Sequence, residues 1–360
     1  MKSLHFSGSA EDIGIQHGIQ AKEEVLYSLD SYEKLFWHEG KINWKEAIEL
    51  AKSHERYIEK TNVGLLEEMN GIAKGASVDF YDILTLNARS EIALTANKAD
   101  GCTSVAVMPP IATATYLGQT WDWREAQSRS LILTKIEQKN SPVIHMVTEG
   151  GIIGKIGLNT NGLGVCLNAL RANLRTNKLP VHVGLREILN SETMEEVYQK
   201  IGDDTIASSA NFLIAQGKNK EEEALAINKE ISPEGIAEKT TADAYLYHTN
   251  HFCSESLIEH IGKESIEDSL NSFTRKDRIE ELINASVSQK KHITRDVLKT
   301  WFADHKHYPE SICRHRENES SAYTNTVTAF SVIMNLEECN MLLMEGQACC
   351  PVEEKKVGFS

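Results

Sequence analysis

Asp100-Gly101-Cys102-Thr103-Ser104-Val105-Ala106-Val107-Met108 marks an abrupt change of character in the chain. Seven residues from Cys102 to Met108 are short, β-rich and closed by Pro109-Pro110, which reads as a strand. Tyr116 to Trp123, containing Gly118-Gln119-Thr120-Trp121-Asp122-Trp123, reads as the strand that returns. Upstream the pattern is helical. Ile13, His17, Ala21, Val25, Leu29 and Tyr32 recur at three- to four-residue spacing, as do Trp44, Ala47, Ala51, His54 and Ile58. Further helical stretches carry Leu65, Leu66, Met69, Ile72 and Ala73, then Tyr81, Leu84 and Ala88, with Gly40 and Gly75 as stops. No strand is expected before residue 100.

Downstream, strands are expected at Leu131 to Ile136, Val143 to Val147 and Leu163 to Leu170, with Asn161-Gly162 as a tight-turn signal. Helices follow around His182 to Asn190 and Met194 to Ile201, then strands at Asn211 to Ala215 and Ala224 to Ile227. Thr274 to Ala285 and Thr294 to Ala303 read as amphipathic helices with a threonine N-cap each. Strands return at Thr326 to Met334 and Met341 to Glu345. Blocks of strands alternating with blocks of helices predict an α+β layered fold and not a βαβ alternation.

The 360 residues include 38 basic and 52 acidic side chains, a net charge of −14. With no basic surplus to neutralise phosphates, a nucleic-acid partner is excluded as an expectation, and docking to an anionic membrane is disfavoured. No signal-peptide core, membrane-length apolar run, or lipidation or peroxisomal tail is legible, so the expected compartment is the cytoplasm. Seven irregularly spaced cysteines, Cys102, Cys166, Cys253, Cys313, Cys339, Cys349 and Cys350, form neither a disulfide framework nor a CxxC zinc pair.

Glycine before a cysteine leaves the carbonyl of Gly101 unshielded. A Cys102 thiolate can attack it, move the acyl group from nitrogen to sulfur, and on hydrolysis expose Cys102 as a new N-terminus. The freed α-amine, with a pKa of roughly 7.7–8.0, can serve as base for its own thiol. Asp122 on the returning strand can stabilise that ammonium, whereas the bland reading has two tryptophans packing beside a turn aspartate. The Asn250 amide can donate to an oxyanion at any pH. Arg314 offers a cation for a carboxylate or acyl group, against a surface cluster paired with Glu317 and Glu319. His248 and His251 lack a third ligand, and His305 and His307 are too generic to supply one, so no metal is expected.

The blocks IGIQHG (13–18), DGCTS (100–104), LGQTWDW (117–123), NTNGLG (159–164), HTNH (248–251) and SICRH (311–315) together resemble the acyl-coenzyme A:6-aminopenicillanic acid acyltransferase family, also called peptidase family C45, among the N-terminal-nucleophile hydrolases. The resemblance implies a four-layer αββα sandwich. It implies self-cleavage between Gly101 and Cys102, giving a mainly helical segment 1–101 that remains as a subunit and a catalytic segment 102–360. It also implies Cys102 as nucleophile, Asp122 assisting, Asn250 as oxyanion donor and Arg314 in substrate binding. The expected activity is hydrolysis of a small-molecule linear N-acyl amide through a thioester on Cys102, with no cofactor. Acyl transfer from a coenzyme A thioester is the alternative. A non-catalytic binding protein on the same fold is the alternative of another class, and a metal hydrolase using His248 and His251 a third. Choloylglycine-type hydrolases expose a cysteine next to the initiator methionine, and this chain departs from them.

Overall fold

The computed structural model describes residues 1–93, 101–170, 176–220, 222–261, 266–317, 321–323 and 325–359. Asp100 and Glu319 lie outside them. In chain order the elements are β1 (Lys2–Gly8), α1 (Ala10–Gln20), α2 (Lys22–Gly40), α3 (Trp44–Ala76), α4 (Phe80–Asn87), α5 (Arg89–Ala93), β2 (Thr103–Val107), β3 (Tyr116–Arg124), β4 (Leu131–Gln138), β5 (Ile144–Glu149), β6 (Ile156–Asn159) and β7 (Leu163–Ala169). They continue with α6 (Val181–Leu189), α7 (Met194–Lys200), β8 (Ala210–Gln216), β9 (Leu225–Ser232), β10 (Gly235–Thr240), β11 (Tyr245–His248), α8 (Glu255–Ile261), α9 (Ile266–Ser288), α10 (Arg295–Phe302), β12 (Thr326–Asn335), β13 (Asn340–Glu345) and β14 (Glu353–Gly358). No described helix is long and apolar enough to cross a membrane.

Two compact units emerge, and neither follows a boundary at residue 101. The first combines Met1–Asn97 with Arg129–Asn159 and Ala172–Ser209. Its strands run β1-β4-β5-β6, with β1 parallel to β4 and the rest antiparallel, and α1 and α2 lie against them. Strand β1 departs from the expectation of no strand before residue 100. It is an edge strand in which only Phe6 is buried, so it carries no alternating apolar signal. Its pairing of Lys2 with Ile132 draws residues after 129 into this unit.

The IGIQHG block lies on α1, which begins at a capping box made by Ser9 and Asp12. Gly14 and Gly18 meet Gly71 and Gly75 of α3 backbone to backbone. A methyl on Gly18 would fall 2.3 Å from the Ile72 carbonyl, and one on Gly75 2.4 Å from that of Ile15. Gly75 stands one residue before the end of α3, as a stop read there expects, and this helix crossing needs it bare. A non-helical residue, Asn62, breaks α3 between the two stretches read as separate helices. Between the glycines, His17 is buried and its Nε2 accepts the Gly151 N–H at 3.0 Å. Burial brings its pKa down to about 3. Two buried carboxylates of this unit have firm partners: Arg186 holds both oxygens of Glu68 at 2.8 Å, and Glu149 receives Lys155 and the Tyr32 hydroxyl.

The second unit combines Lys98–Ser128, Thr160–Arg171 and Ala210–Ser360. It contains the antiparallel strands β7-β8-β9-β10 and an antiparallel six-stranded sheet ordered β11-β2-β3-β12-β13-β14. Gln119 of β3 stitches the two together, its side-chain amide donating to the Leu167 carbonyl and accepting the Leu167 N–H at 2.9 Å. On the other face of the six-stranded sheet, Ile279 and Ile283 of α9 and Leu298, Trp301 and Phe302 of α10 bury against Val105, Val107, Ile333 and Met344. Each such side chain contributes about 1.5–3 kcal/mol relative to exposure. The α+β layering expected from the sequence is thus present: helices on a sheet in the first unit, two sheets and a helix layer in the second. Thr294 caps α10 as read, but Thr274 lies inside α9, which starts earlier, and its hydroxyl bonds back to the Asn271 carbonyl.

Gly18→Val should destabilise the protein by at least about 1–3 kcal/mol, because α1 and α3 must separate to admit the side chain. Urea unfolding of the variant against wild type measures it, and an unchanged midpoint would show that the crossing is not tight.

Candidate active site

One sheet register assembles the site. Strand β2 pairs antiparallel with β3, Thr103 opposite Thr120. Continued two residues past Thr103, this register brings Gly101 level with Asp122. On the other side β11 pairs with β2, His248 opposite Ser104. Continued the same way it brings Asn250 level with Cys102. Asp122 in turn is opposite Thr328 of β12, next to a β-bulge between Thr328 and Phe330. The expectation that a strand–turn–strand returns Asp122 to the start of β2 is therefore met.

Cys102 is wholly buried, and its Sγ lies 3.7 Å from the backbone oxygen of Asp122. Gly101 must be glycine for space: a Cβ there would sit 2.6 Å from Asp122 Oδ2 and 3.0 Å from Arg314 Nη1. Oδ1 of Asp122 accepts the Thr328 hydroxyl at 2.7 Å. Oδ2 is buried with no hydrogen-bond partner among the described residues. Burial raises the Asp122 pKa to about 7, with Arg275, Thr328 and Arg314 pulling the other way.

Arg275, on α9, is the residue that sequence reasoning missed. It is fully buried, donating Nη1 to the Cys102 carbonyl at 2.5 Å and to Thr103 Oγ1 at 3.1 Å, and Nη2 to Asn250 Oδ1 at 3.0 Å. Burial lowers its pKa to about 10, with Asp122 opposing. Within Thr274-Arg275-Lys276-Asp277-Arg278 it reads like any charged helix face, and only the fold selects it for the interior. The Asn250 amide is fixed by opposite demands: Arg275 can only donate, and the Ala169 carbonyl, 3.1 Å from Nδ2, can only accept. That leaves one Nδ2 hydrogen beyond the bond to Ala169.

Asn168 extends the network. Its Nδ2 donates to the Cys102 carbonyl at 3.4 Å, and its Oδ1 accepts the Ser104 hydroxyl at 2.6 Å. Asn211 joins Asn168 to Asn228, and Asn228 donates to the Tyr247 carbonyl at the wall of a cleft of about 640 Å³. Cys102 does not line that cleft.

Arg314 reaches the site from the SICRH block. It is 6% exposed, its Nη2 bound by Glu310 at 2.9 Å and Glu317 at 2.7 Å. It pairs with Glu317, as the cluster reading expects, but it is buried beside Gly101 and not spread on the surface. The two histidines of HTNH do not form a pair of ligands. Both ring nitrogens of His248 are engaged, Nδ1 with the Thr249 carbonyl at 2.8 Å and Nε2 with Glu230 at 2.7 Å. Burial opposes its charge, yet bonds to Cys253 and Glu230 push its pKa up to about 10. His251 instead bonds Ser272 Oγ at 2.8 Å, and burial lowers its pKa to about 3.

The sequence profile of the acyl-coenzyme A:6-aminopenicillanic acid acyltransferases matches residues 111–347. Over 322 residues, 88% of this chain and 86% of the other, the sequence is 33% identical to the acyl-coenzyme A:6-aminopenicillanic-acid-acyltransferase 40 kDa form of Emericella nidulans. Among solved structures, an N-acylethanolamine-hydrolyzing acid amidase ortholog of Caenorhabditis elegans is similar with a TM-score of 0.42 and 15% identity, over 65% of this chain and 93% of that one. A mutant of the conjugated bile acid hydrolase of Clostridium perfringens is similar with a TM-score of 0.41 and 11% identity, over 72% of this chain and 97% of that one. The chain belongs to the acyl-coenzyme A:6-aminopenicillanic acid acyltransferase family and is an α+β enzyme that acts on amide C–N bonds.

Proposed function

We propose that the chain cuts itself between Gly101 and Cys102 and that the mature Cys102 thiol then hydrolyses a linear N-acyl amide of a small molecule. The observation that carries this is the crowding of Asp122, Arg314 and Arg275 around the Gly101–Cys102 peptide, with Asn250 held alongside. A thiol with no exposed surface cannot meet a substrate in the uncut chain, so the buried Cys102 has its own peptide bond as its nearest target.

In the first reaction the Cys102 thiol gives up its proton to the Asp122 carboxylate and Sγ bonds to the Gly101 carbonyl carbon. The C–N bond then breaks, the freed Cys102 nitrogen takes a proton, and a thioester to Gly101 remains. Water hydrolyses that ester, leaving a 101-residue segment with a new carboxylate and a 259-residue segment that begins at Cys102. The buried, unpartnered Asp122 Oδ2 beside this bond then has a use: the new α-amine of Cys102 donates to it, and the carboxylate stabilises the ammonium formed when that amine takes up the thiol proton. Arg275 stays on the Cys102 carbonyl, holding the residue in place through the change.

In the second reaction the α-amine takes the thiol proton and Sγ attacks the substrate amide carbonyl. The remaining Nδ2 hydrogen of Asn250 donates to the oxyanion. The amine passes the proton to the leaving nitrogen, and the acyl group stays on sulfur as a thioester. Water completes hydrolysis. A second reading, acyl transfer from a coenzyme A thioester to an amine, uses the same thioester and is favoured by the name of the 33% identical relative. Arg314 is placed to meet a carboxylate or the acyl end of the substrate. No resident cofactor is required. The 1–101 segment remains as a subunit, and the working compartment is the cytoplasm.

Intact mass of purified protein tests the first step. Wild type should resolve into the two segments, and Cys102→Ala should remain a single inactive chain. Wild type that hydrolyses amides while staying uncut would remove the N-terminal-nucleophile mechanism. Self-cleavage should also depend on pH. Asp122 is neutral below its value of about 7 and a carboxylate above it, so cleavage assisted by the carboxylate accelerates as pH rises through 7. Gel assays of fresh precursor across that range should show the rise, and Asp122→Asn should abolish it. Asn250→Ala in the processed enzyme should lower kcat by about 10²–10³-fold, measured by steady-state kinetics on any amide it turns over.

A further inference from the structure

Away from Cys102, four side chains of the second unit converge on one point. His305, Cys313 and His315 come from the loop that follows α10, and Cys349 from the turn between β13 and β14. One ligand atom from each lies within 4.8 Å of all the others. His305 Nε2 is 3.1 Å from His315 Nε2, which is 3.6 Å from Cys313 Sγ and 3.5 Å from Cys349 Sγ.

Hydrogen bonding does not account for this arrangement. One imidazole nitrogen takes part in a single hydrogen bond, as donor or acceptor, yet three groups are aimed at His315 Nε2. The separations instead match the edges of a metal tetrahedron. With Zn–N of about 2.0–2.1 Å and Zn–S of about 2.3 Å, the edges are about 3.3 Å between nitrogens and about 3.6 Å from nitrogen to sulfur. Two thiolates and two imidazoles are a soft donor set that selects zinc and rejects magnesium or calcium. Two thiolates also neutralise the ion.

We infer that His305, Cys313, His315 and Cys349 bind one zinc ion in a closed Cys₂His₂ site. Four protein ligands leave no open position, so the ion is structural. Local bonds already hold the ligands: the Cys313 N–H donates to the Asp304 carbonyl, the His315 N–H to the Pro309 carbonyl, and Ser311 Oγ to the Cys313 carbonyl. Exposed His305 and Cys349 give the ion a way in, while Cys313 is buried. The ion clips the 305–315 loop to the β13–β14 turn, two segments otherwise far apart in sequence. Its consequence for the active site runs through one residue. Arg314 lies between two of the ligands, with its N–H on Thr328 Oγ1 at 2.8 Å and its guanidinium against Gly101. The zinc therefore positions Arg314 without touching substrate. The sequence reading found no partner for His305 because the ligands are spaced by seven, one and thirty-three residues, which no local motif reveals.

Metal content of the full chain, purified under reducing conditions, tests the site. Wild type should carry about one zinc per chain after dialysis, and His305→Ala and Cys349→Ser, at exposed positions, should each lower retention at least about tenfold. Cobalt(II) added to the metal-stripped wild type should give the intense visible bands of a tetrahedral site and a near-ultraviolet thiolate charge-transfer band, both absent from Cys349→Ser. Circular dichroism confirms that the variants are folded. Three results would overturn the inference: reduced wild type that takes up neither metal, folded variants that retain as much zinc as wild type, or a Cys313–Cys349 disulfide found by non-reducing peptide mapping of the metal-free protein as isolated.

Discussion

The antiparallel register of β11, β2, β3 and β12 is the constraint on which the rest depends. With Thr103 opposite Thr120, His248 opposite Ser104 and Thr328 opposite Asp122, Gly101, Asp122 and Thr328 arrive at one level of the sheet and Cys102 and Asn250 at the next. A slip of one residue would turn every side chain to the opposite face, moving Asp122 away from Gly101 and Asn250 away from Cys102. The register is held by burial on both faces: Val105 and Val107 pack under α9 and α10, while Gln119 bonds to the backbone of Leu167 on the other sheet. The chemistry of the site is in this sense a by-product of core packing.

Electrostatics at that level is balanced by arrangement and not by solvent. Asp122, Arg275 and Arg314 are nearly or wholly buried together. A lone buried carboxylate would be driven to its neutral form, and a lone guanidinium would carry several kcal/mol of desolvation penalty. Together they leave Asp122 poised near 7 and Arg275 still cationic. A carboxyl group balanced at that point can change protonation state when a new amine appears beside it. The same balance leaves Arg275 gripping the carbonyl of Cys102 while ordering the amide of Asn250.

The N-terminal helices show a different economy. Gly14, Gly18, Gly71 and Gly75 give up side chains so that α1 and α3 can touch, and the buried His17 between them is held neutral by burial and serves as an acceptor for Gly151. A block of sequence that resembles a functional motif is here explained by packing. The first hundred residues are thus built into a unit that also takes in Arg129–Asn159 and Ala172–Ser209.

Most helices were legible from their apolar periodicities, as in α10, and most strands from short β-rich runs, as in β2. Cys102, Asp122 and Asn250, which the structure brings together, could be singled out because each stands in a short block whose residue types suit one chemistry. Strand β1 was not legible, since one buried residue makes no period; nor was the packing role of Gly75, since only the partner helix shows why it must be bare. Arg275 and the partners of His305 were beyond sequence reading for a common reason. A charged residue on a helix, or a histidine in a loop, has no role until folding decides what faces it. The sequence by itself determined the α+β class and the Gly101-Cys102 step that opens β2, because these are local in the chain. Only the tertiary structure decided which arginine enters the interior, which way Asn250 points and which thiols meet which imidazoles, because those depend on distances across the fold.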